Sequence, residues 1–272
     1  MSAAPSRLGT FLAAWPDAAL VEIAEAKGST PREERAWMLV APGAIFGTIG
    51  GGQLEFMAID RARAMIAAGR PATDDLDVPL GPQIGQCCGG RVTVRIALAD
   101  DRLRAAAVAR VEDETAARPR VLVFGGGHVG QALAEALSLL PLAVTVVETR
   151  PDQIGDLPER VDVRLTAVPE EAVRQAAAGA AFLVLTHDHA LDFLIVAEAL
   201  KRGDAAYVGM IGSKTKRATF ASWYLKQAGG DEASLSRLVC PIGGSEVRDK
   251  RPAVIAAMAA AEVLRALSAH GA

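Results

Sequence analysis

The amino-acid sequence predicts an α/β protein with a C-terminal Rossmann-like parallel sheet domain and a smaller N-terminal α+β domain. The second half of the chain alternates short apolar runs with helical segments, a pattern typical of parallel strands joined by helical crossovers. The glycine-rich stretch VFGGGHVG includes the end of the first of these runs and leads into a helical segment. The first half patterns instead as strands around one helix.

The N-terminal domain is predicted to contain four strands and one helix. Leu54, Ala58 and Met65 fall on one helical face, and Gly69 ends that helix. The turn residues Pro42 and Gly43 favour a hairpin, and apolar residues alternate with polar ones in the last strand. The predicted strands are Ala19–Ala24, Ala36–Val40, Ala44–Phe46 and Val92–Leu98.

The C-terminal domain is predicted from its alternating elements. Its apolar runs are short and bounded by helical stretches, as expected for buried parallel strands. The predicted strands are Val121–Phe124, Val144–Val147, Phe182–Leu185 and Ala206–Val208. The predicted helices are Val129–Leu139, one within Pro169–Ala178, Leu191–Leu200 and the long final helix Ala253–Leu267.

The size and composition of the chain fit two folded domains. With 272 residues, 51% of them hydrophobic and 22% charged, the chain has the composition of a globular protein. We predict the N-terminal domain over residues 1–100, a connecting segment over 101–118 and the Rossmann-like domain over 119–272. The formal charge of −3 provides no overall field for nucleic acid or an anionic membrane.

Targeting signals and cysteine usage indicate a cytoplasmic protein. The N-terminal residues contain no cationic stretch followed by a long apolar run, so no signal peptide is predicted. Glu262 and Arg265 interrupt the Ala-rich final helix, so no membrane helix is predicted. Two of the three cysteines are adjacent, which suits a reducing compartment better than a disulfide framework.

The glycine fingerprint is the clearest generic motif. Gly125, Gly127 and Gly130 form G-x-G-x-x-G between a predicted strand and a predicted helix, where amides at the helix start can bind a phosphate. Glu148 ends the next strand about twenty residues further on, where an acceptor for a ribose hydroxyl is expected. The scaffold binds NAD(P), other nucleotides or no ligand at all, so retention for structure is the alternative.

The cysteine loop, Cys87–Cys88–Gly89–Gly90, lies just before a predicted strand. Thiolates are soft ligands that suit copper, zinc or molybdenum, and the glycines remove side-chain bulk beside them. Adjacent side chains in an extended segment point to opposite faces, so one of Cys87 and Cys88 is expected to reach a given metal. The alternative is that both thiols are small buried side chains.

Two further segments are candidate ligand loops. Gly50, Gly51 and Gly52 open the first predicted helix and could hold a phosphate or a pterin through backbone amides, or could simply form the exit of a tight hairpin. His187 and Asp188 follow a predicted parallel strand, at the edge where ligands of such sheets collect. A metal-binding or proton-transfer role and capping of the next helix by Asp188 are both consistent with this position.

A basic helix start, GMIGSKTKR, is a candidate anion site. Ser213 and Lys214, followed by Lys216 and Arg217, concentrate positive charge in a chain whose net charge is negative. We expect the amides, the hydroxyl and Lys214 to hold a phosphate. A solvated helix start is the alternative.

Six stretches carry a resemblance to a known family: GTIGGGQLE, LGPQIGQCCGG, VFGGGHVG, LTHDHALD, VGMIGSKTKR and CPIGGSEVRDKRPAVIAAMAAAE. In this order they run over almost the whole chain. Together they resemble the XdhC family of xanthine dehydrogenase accessory proteins. The combination of a cysteine-glycine loop with a C-terminal Rossmann domain is more specific than the glycine fingerprint alone.

The resemblance implies a chaperone that binds molybdenum cofactor, in its molybdopterin form, and has no turnover of its own. It implies two partners, a cysteine desulfurase for cofactor sulfuration and the xanthine dehydrogenase apoenzyme that receives the cofactor. By position, it places the cofactor at Gly50–Gly52, Cys87–Cys88 and Gly125–Gly130, with one of the two cysteines bound to molybdenum. Relatives often carry His or Cys where this chain has Gln53, so no metal-binding role is expected there.

Two other functions fit the same residues. An NAD(P)-dependent oxidoreductase is suggested by Gly125–Gly130 and Glu148, and a nucleotide-sensing Rossmann module would use the same fingerprint. We favour the chaperone because none of the motifs supplies a nucleophile with an adjacent base. A homodimer is also expected, since the small side chains of the Ala-rich final helix permit close helix packing.

Overall fold

The computed structural model describes residues 3–70, 72–81, 89–155, 157–244 and 247–271. Cys87 and Cys88 therefore lie outside the described residues. The chain forms two compact units, Met1–Ala116 and Ala117–Ala272. The predicted fold class is confirmed, because unit 1 contains an antiparallel sheet and unit 2 contains a parallel six-stranded sheet.

Unit 1 is built on a five-stranded antiparallel sheet with the order β3-β2-β1-β5-β4. Its strands are β1 (Ala19–Lys27), β2 (Trp37–Val40), β3 (Ile45–Gly47), β4 (Thr73–Pro79) and β5 (Arg91–Leu98). Its helices, within the described residues, are α1 (Ala3–Ala14), α2 (Gly52–Ala68) and α3 (Asp101–Ala116). The four strands and the helix predicted here are confirmed, and β4, α1 and α3 were not predicted.

The two faces of this sheet are covered by different helices. α2 buries Leu54, Ala58 and Met65 against one face, and it ends at Gly69, whose φ of 65° is left-handed. α1 and α3 bury apolar residues against the other face, among them Leu8 and Val111. The residues 101–118, interpreted from the sequence as a connecting segment, thus contain a helix that packs within unit 1.

The strand β4 escaped prediction because its sequence, TDDLDVP, is acidic. In the structure, its exposed carboxylates form ion pairs with arginines of β5: Asp75 with Arg95 and Asp77 with Arg91. Cross-strand pairs of opposite charge stabilise a sheet, whereas acidic residues alone disfavour a strand. The arginines that stabilise β4 belong to β5, so the sequence of β4 by itself does not show that it forms a strand.

Unit 2 is a parallel six-stranded sheet with the order β11-β10-β9-β6-β7-β8. Its strands are β6 (Arg120–Phe124), β7 (Ala143–Glu148), β8 (Val161–Leu165), β9 (Ala181–Val184), β10 (Tyr207–Met210) and β11 (Leu238–Val239). Its described α-helices are α4 (His128–Ser138), α5 (Glu170–Gln175), α6 (His189–Arg202), α7 (Lys214–Lys226), α8 (Glu232–Ser236) and α9 (Pro252–His270). The predicted strands and helices are confirmed, and β8, β11 and α8 are additional.

Helices cover both faces of this sheet. α4 and α9 pack on one face, while α5, α6 and α7 pack on the other. The first strand, β6, lies in the middle, with β7 on one side and β9 on the other. Ligands of such sheets collect at the carboxyl ends of the strands where the order reverses, so the turn after β6 is the expected site.

Among the described residues, α9 is the helix whose length and composition would allow it to cross a membrane. In this fold, Ala256, Ala259 and Val263 are buried on the face shared with α4. Glu262 accepts hydrogen bonds from the Tyr207 hydroxyl (2.9 Å) and the Gly243 amide (2.8 Å). Some of the small side chains on which the homodimer expectation rested, such as Ala256 and Ala259, therefore pack within unit 2, whereas Ala253, Ala257 and Ala261 are exposed.

Candidate functional site

In unit 1, the glycine loop Gly50–Gly52 has three consecutive left-handed φ angles, 122°, 75° and 68°. The carboxylate of Glu55 in the first turn of α2 accepts the Thr48 hydroxyl and the amides of Ile49 (3.0 Å) and Gly51 (3.1 Å). The Gly50 amide donates to the Thr48 hydroxyl (3.0 Å), so two of the three glycine amides that the sequence offered to a phosphate, those of Gly50 and Gly51, are already bonded within the protein. The start of α2 has no side-chain cap, so a ligand would meet the first-turn amides of the helix.

The end of the cysteine loop and the glycine loop contact the same segment. A Cβ on Gly90 would lie 2.4 Å from the Ser29 carbonyl oxygen and 2.7 Å from that of Lys27. A Cβ on Gly50 would lie 2.9 Å from Cγ of Arg32. The residues that follow β1 therefore bring together two of the loops that the sequence singled out.

Gly51 and Gly89 are open to their surroundings as far as the described residues show. Among those residues, a Cβ on Gly51 or on Gly89 would have no atom within 4 Å, and both glycines have left-handed φ angles, 75° and 65°. These positions combine a backbone that favours glycine with open space next to it. A cofactor could approach the main chain at either point.

A pocket of about 420 Å³ is formed in unit 1 by residues 31–36. Arg32 and Arg35 supply positive charge there, and Glu33 and Glu34 supply negative charge. Arg35 is the one non-glycine residue with a positive φ (69°) in the described parts of the chain. Its amide donates to Ile23 O (2.9 Å) and its carbonyl accepts from Arg110, so the strained loop is held on both sides.

In unit 2, two of the three fingerprint glycines, Gly125 and Gly130, occupy positions where a side chain would not fit, while phosphate binding at this turn stays a prediction. Gly125 has φ 114°, and a Cβ there would lie 2.4 Å from the Leu185 carbonyl oxygen. A Cβ on Gly130 would lie 1.9 Å from the Gly125 carbonyl oxygen, so α4 contacts the turn directly. Within the described parts of the chain, Gly127 has no neighbour within 4 Å of a Cβ position. These residues therefore leave the approach to the α4 start open at Gly127.

Glu148 is buried and forms a hydrogen bond with the glycine turn. Its Oε2 accepts the Gly126 amide (2.8 Å), and its Oε1 accepts the amides of Thr149 (2.8 Å) and Arg150 (3.0 Å). Burial by itself would raise the pKa of Glu148, but these hydrogen bonds outweigh it and hold the pKa below its ordinary value. The ribose-binding role of Glu148 stays a prediction, and its oxygens are already engaged by the protein.

The residues after Glu148 fold back over the same turn. Gln131 donates to Gly126 O (2.8 Å) and contacts Gln153 O (3.4 Å). A Cβ on Gly126 would lie 2.7 Å from Gln153 O. The side of the turn that faces Glu148 is therefore occupied by Gln131 and Gln153, two residues that sequence reasoning missed.

We expect replacement of Glu148 by Gln to change how the stability of the protein depends on pH. A carboxylate whose folded pKa is lowered stabilises the fold above its unfolded pKa, and this contribution is lost as the pH falls through the folded value. In urea unfolding at several pH values, the wild type should therefore lose stability on acidification more steeply than the variant. If the free energy of unfolding changes with pH in the same way for both proteins, Glu148 is not the group responsible for this pH dependence.

The candidate residues beyond β9 and β10 begin helices. Asp188 caps α6 by accepting the Ala190 amide (2.7 Å), and Ser213 caps α7 by accepting the Lys216 amide (3.3 Å). His187 and Lys214 are exposed beside these caps. Capping by Asp188 is the alternative that the sequence offered, whereas the cap formed by Ser213 was not predicted. Ligand binding by His187 and Lys214 stays a prediction.

A buried ion pair lies between these two helices. The carboxylate of Asp192, with 0% exposure, accepts the amide (2.9 Å) and the hydroxyl (2.7 Å) of Thr186 and the ammonium group of Lys216 (2.5 Å). Sequence reasoning missed this pair. A usable signal was present, because opposite charges in the first turns of helices that follow neighbouring parallel strands are brought to the same sheet edge.

Cys240 follows β11 and is half-buried. Burial raises the pKa of its thiol, while the positive charges of Lys216 and Arg217 act in the opposite direction. The sequence interpretation gave this cysteine no role. Within the ranges described, no group of three or more His, Cys, Asp or Glu residues is placed to hold a metal ion.

Comparisons with known proteins agree with this architecture. The family model described as the XdhC Rossmann domain matches residues 121–263, and the model described as the XdhC and CoxI family matches residues 4–77. The uncharacterized protein YqeB of Escherichia coli (strain K12) is 27% identical over 263 residues, which make up 91% of this chain and 43% of that protein. The chain thus spans less than half of that relative.

A solved structure supports the fold. A crystal structure described as a xanthine dehydrogenase from Bacillus halodurans matches with a TM-score of 0.78, over 99% of this chain and 96% of that chain. The sequence identity is 18%, so this likeness concerns the fold.

Proposed function

This chain belongs to the XdhC family, and from that premise we propose that it binds molybdenum cofactor, supports its sulfuration and delivers it to xanthine dehydrogenase. Family membership supports a role in xanthine dehydrogenase maturation, which is an accessory role. The proposal adds the cargo, a cysteine desulfurase as the source of sulfur, and the cytoplasm as the place of action.

The observation that carries the proposal is the meeting of two loops in unit 1. Gly50 contacts Arg32, and Gly90 contacts Ser29, so the glycine loop and the end of the cysteine loop share one segment. The cofactor combines a metal that prefers sulfur ligands with an anionic phosphate. Arg32 is exposed and the start of α2 has no side-chain cap, so both can meet a phosphate. The soft ligands in this proposal are the thiols of Cys87 and Cys88, which lie outside the described residues and directly precede Gly89 in the sequence.

Each group has a distinct task in this proposal. Cys87 or Cys88 supplies one soft ligand, while the open backbone at Gly51 and Gly89 leaves room for the pterin. Arg32 and the first-turn amides of α2 hold the phosphate. The bound molybdenum supplies the terminal ligand position at which oxygen is exchanged for sulfur. A single protein ligand to the metal leaves the cofactor free to be released to the apoenzyme.

The structure of unit 2 gives little support to the alternative that this chain is an NAD(P)-dependent oxidoreductase. In a nicotinamide-binding Rossmann domain, the acidic residue at the end of the second strand accepts a ribose hydroxyl. Here both oxygens of Glu148 accept hydrogen bonds from Gly126, Thr149 and Arg150. We therefore expect weak binding or none in titrations with NAD(H) and NADP(H), and turnover of any substrate with either would support the alternative.

We expect single replacements of the two adjacent cysteines to differ. Because neighbouring side chains in an extended segment diverge, one of Cys87→Ala and Cys88→Ala should lose bound cofactor and the other should retain it. The measurement is molybdenum retained after gel filtration of the loaded protein, followed by activation of apo xanthine dehydrogenase. Cys240→Ala, which changes the half-buried thiol of unit 2, is the matched control and should bind normally.

Two outcomes of this experiment would count against the proposal. If the double variant retains and transfers cofactor as well as the wild type, the cysteine loop is structural. If the wild-type protein itself binds no cofactor, the chaperone function is wrong for this chain.

A further inference from the structure

The strand β8 forms one edge of the sheet in unit 2 and carries exposed apolar side chains. Val163 is 43% exposed and Leu165 is 50% exposed. The amide of Thr166 donates to Glu148 O (3.0 Å) of the neighbouring strand β7. In a strand, alternate residues direct their backbone groups to opposite sides, so residues 161, 163 and 165 direct theirs away from β7.

The other sheet edges are short or protected. β3 has three residues and β11 has two. β4 is longer, but it carries three aspartates and ends at Pro79. Charged residues, proline and short length are the usual means by which proteins protect an edge from pairing. The five-residue strand β8, VDVRL, is longer than β3 and β11 and contains no proline. It has one negative and one positive charge, so its charges do not repel a second strand of the same sequence.

We propose that β8 pairs with β8 of a second copy of this chain, antiparallel and centred on Val163. This register joins two six-stranded sheets into one continuous sheet across a twofold axis. It matches the outward backbone groups of residue 163 with those of residue 163 in the other copy. It also brings the amide of Leu165 opposite the carbonyl of Val161, whose own amide is bonded to Pro158 O (2.9 Å).

The charges on β8 indicate that its partner is a second copy of this chain. In the register centred on Val163, Asp162 lies opposite Arg164 of the second copy, and the twofold axis repeats the pair. Directly opposite residues of unlike charge stabilise an antiparallel pair, and like charges destabilise it. The same operation applied to β4 would place its aspartates near each other. β8 is therefore self-complementary in a way that β4 is not.

Arg164 has little to hold it in its present position. Its contact with Glu171 is long, 3.9 Å, and both side chains are partly exposed. An exposed pair at this distance contributes little to stability. Arg164 can therefore turn toward a carboxylate supplied across the axis, while Val163 and Leu165 lose their contact with water.

The first test measures the mass of the full chain by light scattering at micromolar concentrations. A dimer is expected for the wild type. Asp162→Arg and Arg164→Asp should each raise the dimer dissociation constant by about tenfold or more, since each change opposes two pairs of like charge. The double variant Asp162→Arg/Arg164→Asp restores unlike pairs and should dimerise like the wild type. A monomeric wild type, or a double variant no tighter than the singles, would overturn the proposal.

The second test probes the register directly. Facing residues in a hydrogen-bonded antiparallel pair have Cα atoms about 5.5 Å apart, within reach of a disulfide. Val163→Cys should therefore form a covalent dimer under mild oxidation. Leu139→Cys, at a side chain 81% exposed at the end of α4, is the control and should crosslink far less. Equal yields from both variants would contradict the β8 interface, with the wild type giving the background from native cysteines.

Discussion

Replacing Gly130 by alanine is expected to destabilise unit 2 by at least about 3 kcal/mol, the upper range for an inserted group that has no space. The new Cβ would lie 1.9 Å from the Gly125 carbonyl oxygen and 3.1 Å from a Leu185 methyl group. In the first contact, the backbone fixes the position of the Cβ and its neighbour is a backbone oxygen, so no rotamer change can relieve it. Relief requires α4 to move off the sheet.

The matched control is Gly127→Ala, in the same turn. Gly127 has no neighbour within 4 Å of a Cβ position, and its φ of −67° suits any residue. The cost should be no more than about 1 kcal/mol, from exchanging a favourable N-cap residue for alanine. Urea unfolding of the full chain, with hydrogen exchange of peptides from β6 and α4, measures both variants. Similar losses for the two would show that the close contact at Gly130 is not real.

Removing the carboxylate of Asp192 is expected to cost about 3–5 kcal/mol, the range for breaking a buried ion pair from one side. Asp192→Ala leaves the Lys216 ammonium, whose side chain is 11% exposed, without its buried partner, and it also removes the acceptor of the Thr186 amide. A buried charge without a partner is much more costly than a lost surface pair. The loss should appear in urea unfolding as a lower midpoint with little change in slope.

An exposed ion pair in unit 1 provides the comparison for Asp192. Asp75 and Arg95 are 47% and 56% exposed, so Asp75→Ala should destabilise the protein much less than Asp192→Ala does. The double variant Asp192→Leu/Lys216→Met should recover part of the loss, since apolar residues of similar size can replace a buried pair. If Asp192→Ala costs no more than Asp75→Ala, the buried pair contributes nothing to the fold.

Local patterns predicted the parts of the fold that depend on local chemistry. Parallel strands with helices on both faces are buried on both sides and therefore appear in the sequence as short apolar runs. The largely buried strands β6, β7, β9 and β10 show this pattern, which is why they could be predicted. The glycine spacing predicted the turn at Gly125–Gly130, because two of its three glycines occupy positions where a Cβ has no space. The length of 272 residues favoured two domains, and the contacts form two units.

The elements that escaped prediction depend on distant partners. β8 has the alternation of a half-buried strand, but it is five residues long and two of its three apolar side chains, Val163 and Leu165, remain partly exposed, so its pattern was too short to stand out. In α3, Ala107 and Val111 are buried against α1, which lies far away in the sequence. Neither segment has enough apolar surface by itself to indicate its position in a core.

The candidate sites show the same limit. The motif located Glu148, but only the structure shows that Gly126, Thr149 and Arg150 bond to its oxygens. Asp192 and Lys216 lie on different helices, so their pairing depends on the parallel order of β9 and β10. Cys87 and Cys88 lie outside the described residues, so the binding experiment is the test of their predicted roles.

The packing of α9 on α4 affects how unit 2 can fold during synthesis. α9 begins more than a hundred residues after α4 ends, yet the two helices cover the same face of the sheet. A nascent chain that has emerged only through β10 can pair its central strands, but Val121, Val123 and Val144 still lack the cover that Ala256 and Ala259 provide. Such an intermediate exposes apolar surface and is prone to aggregation. We therefore expect unit 2 to complete its fold only after α9 has left the ribosome.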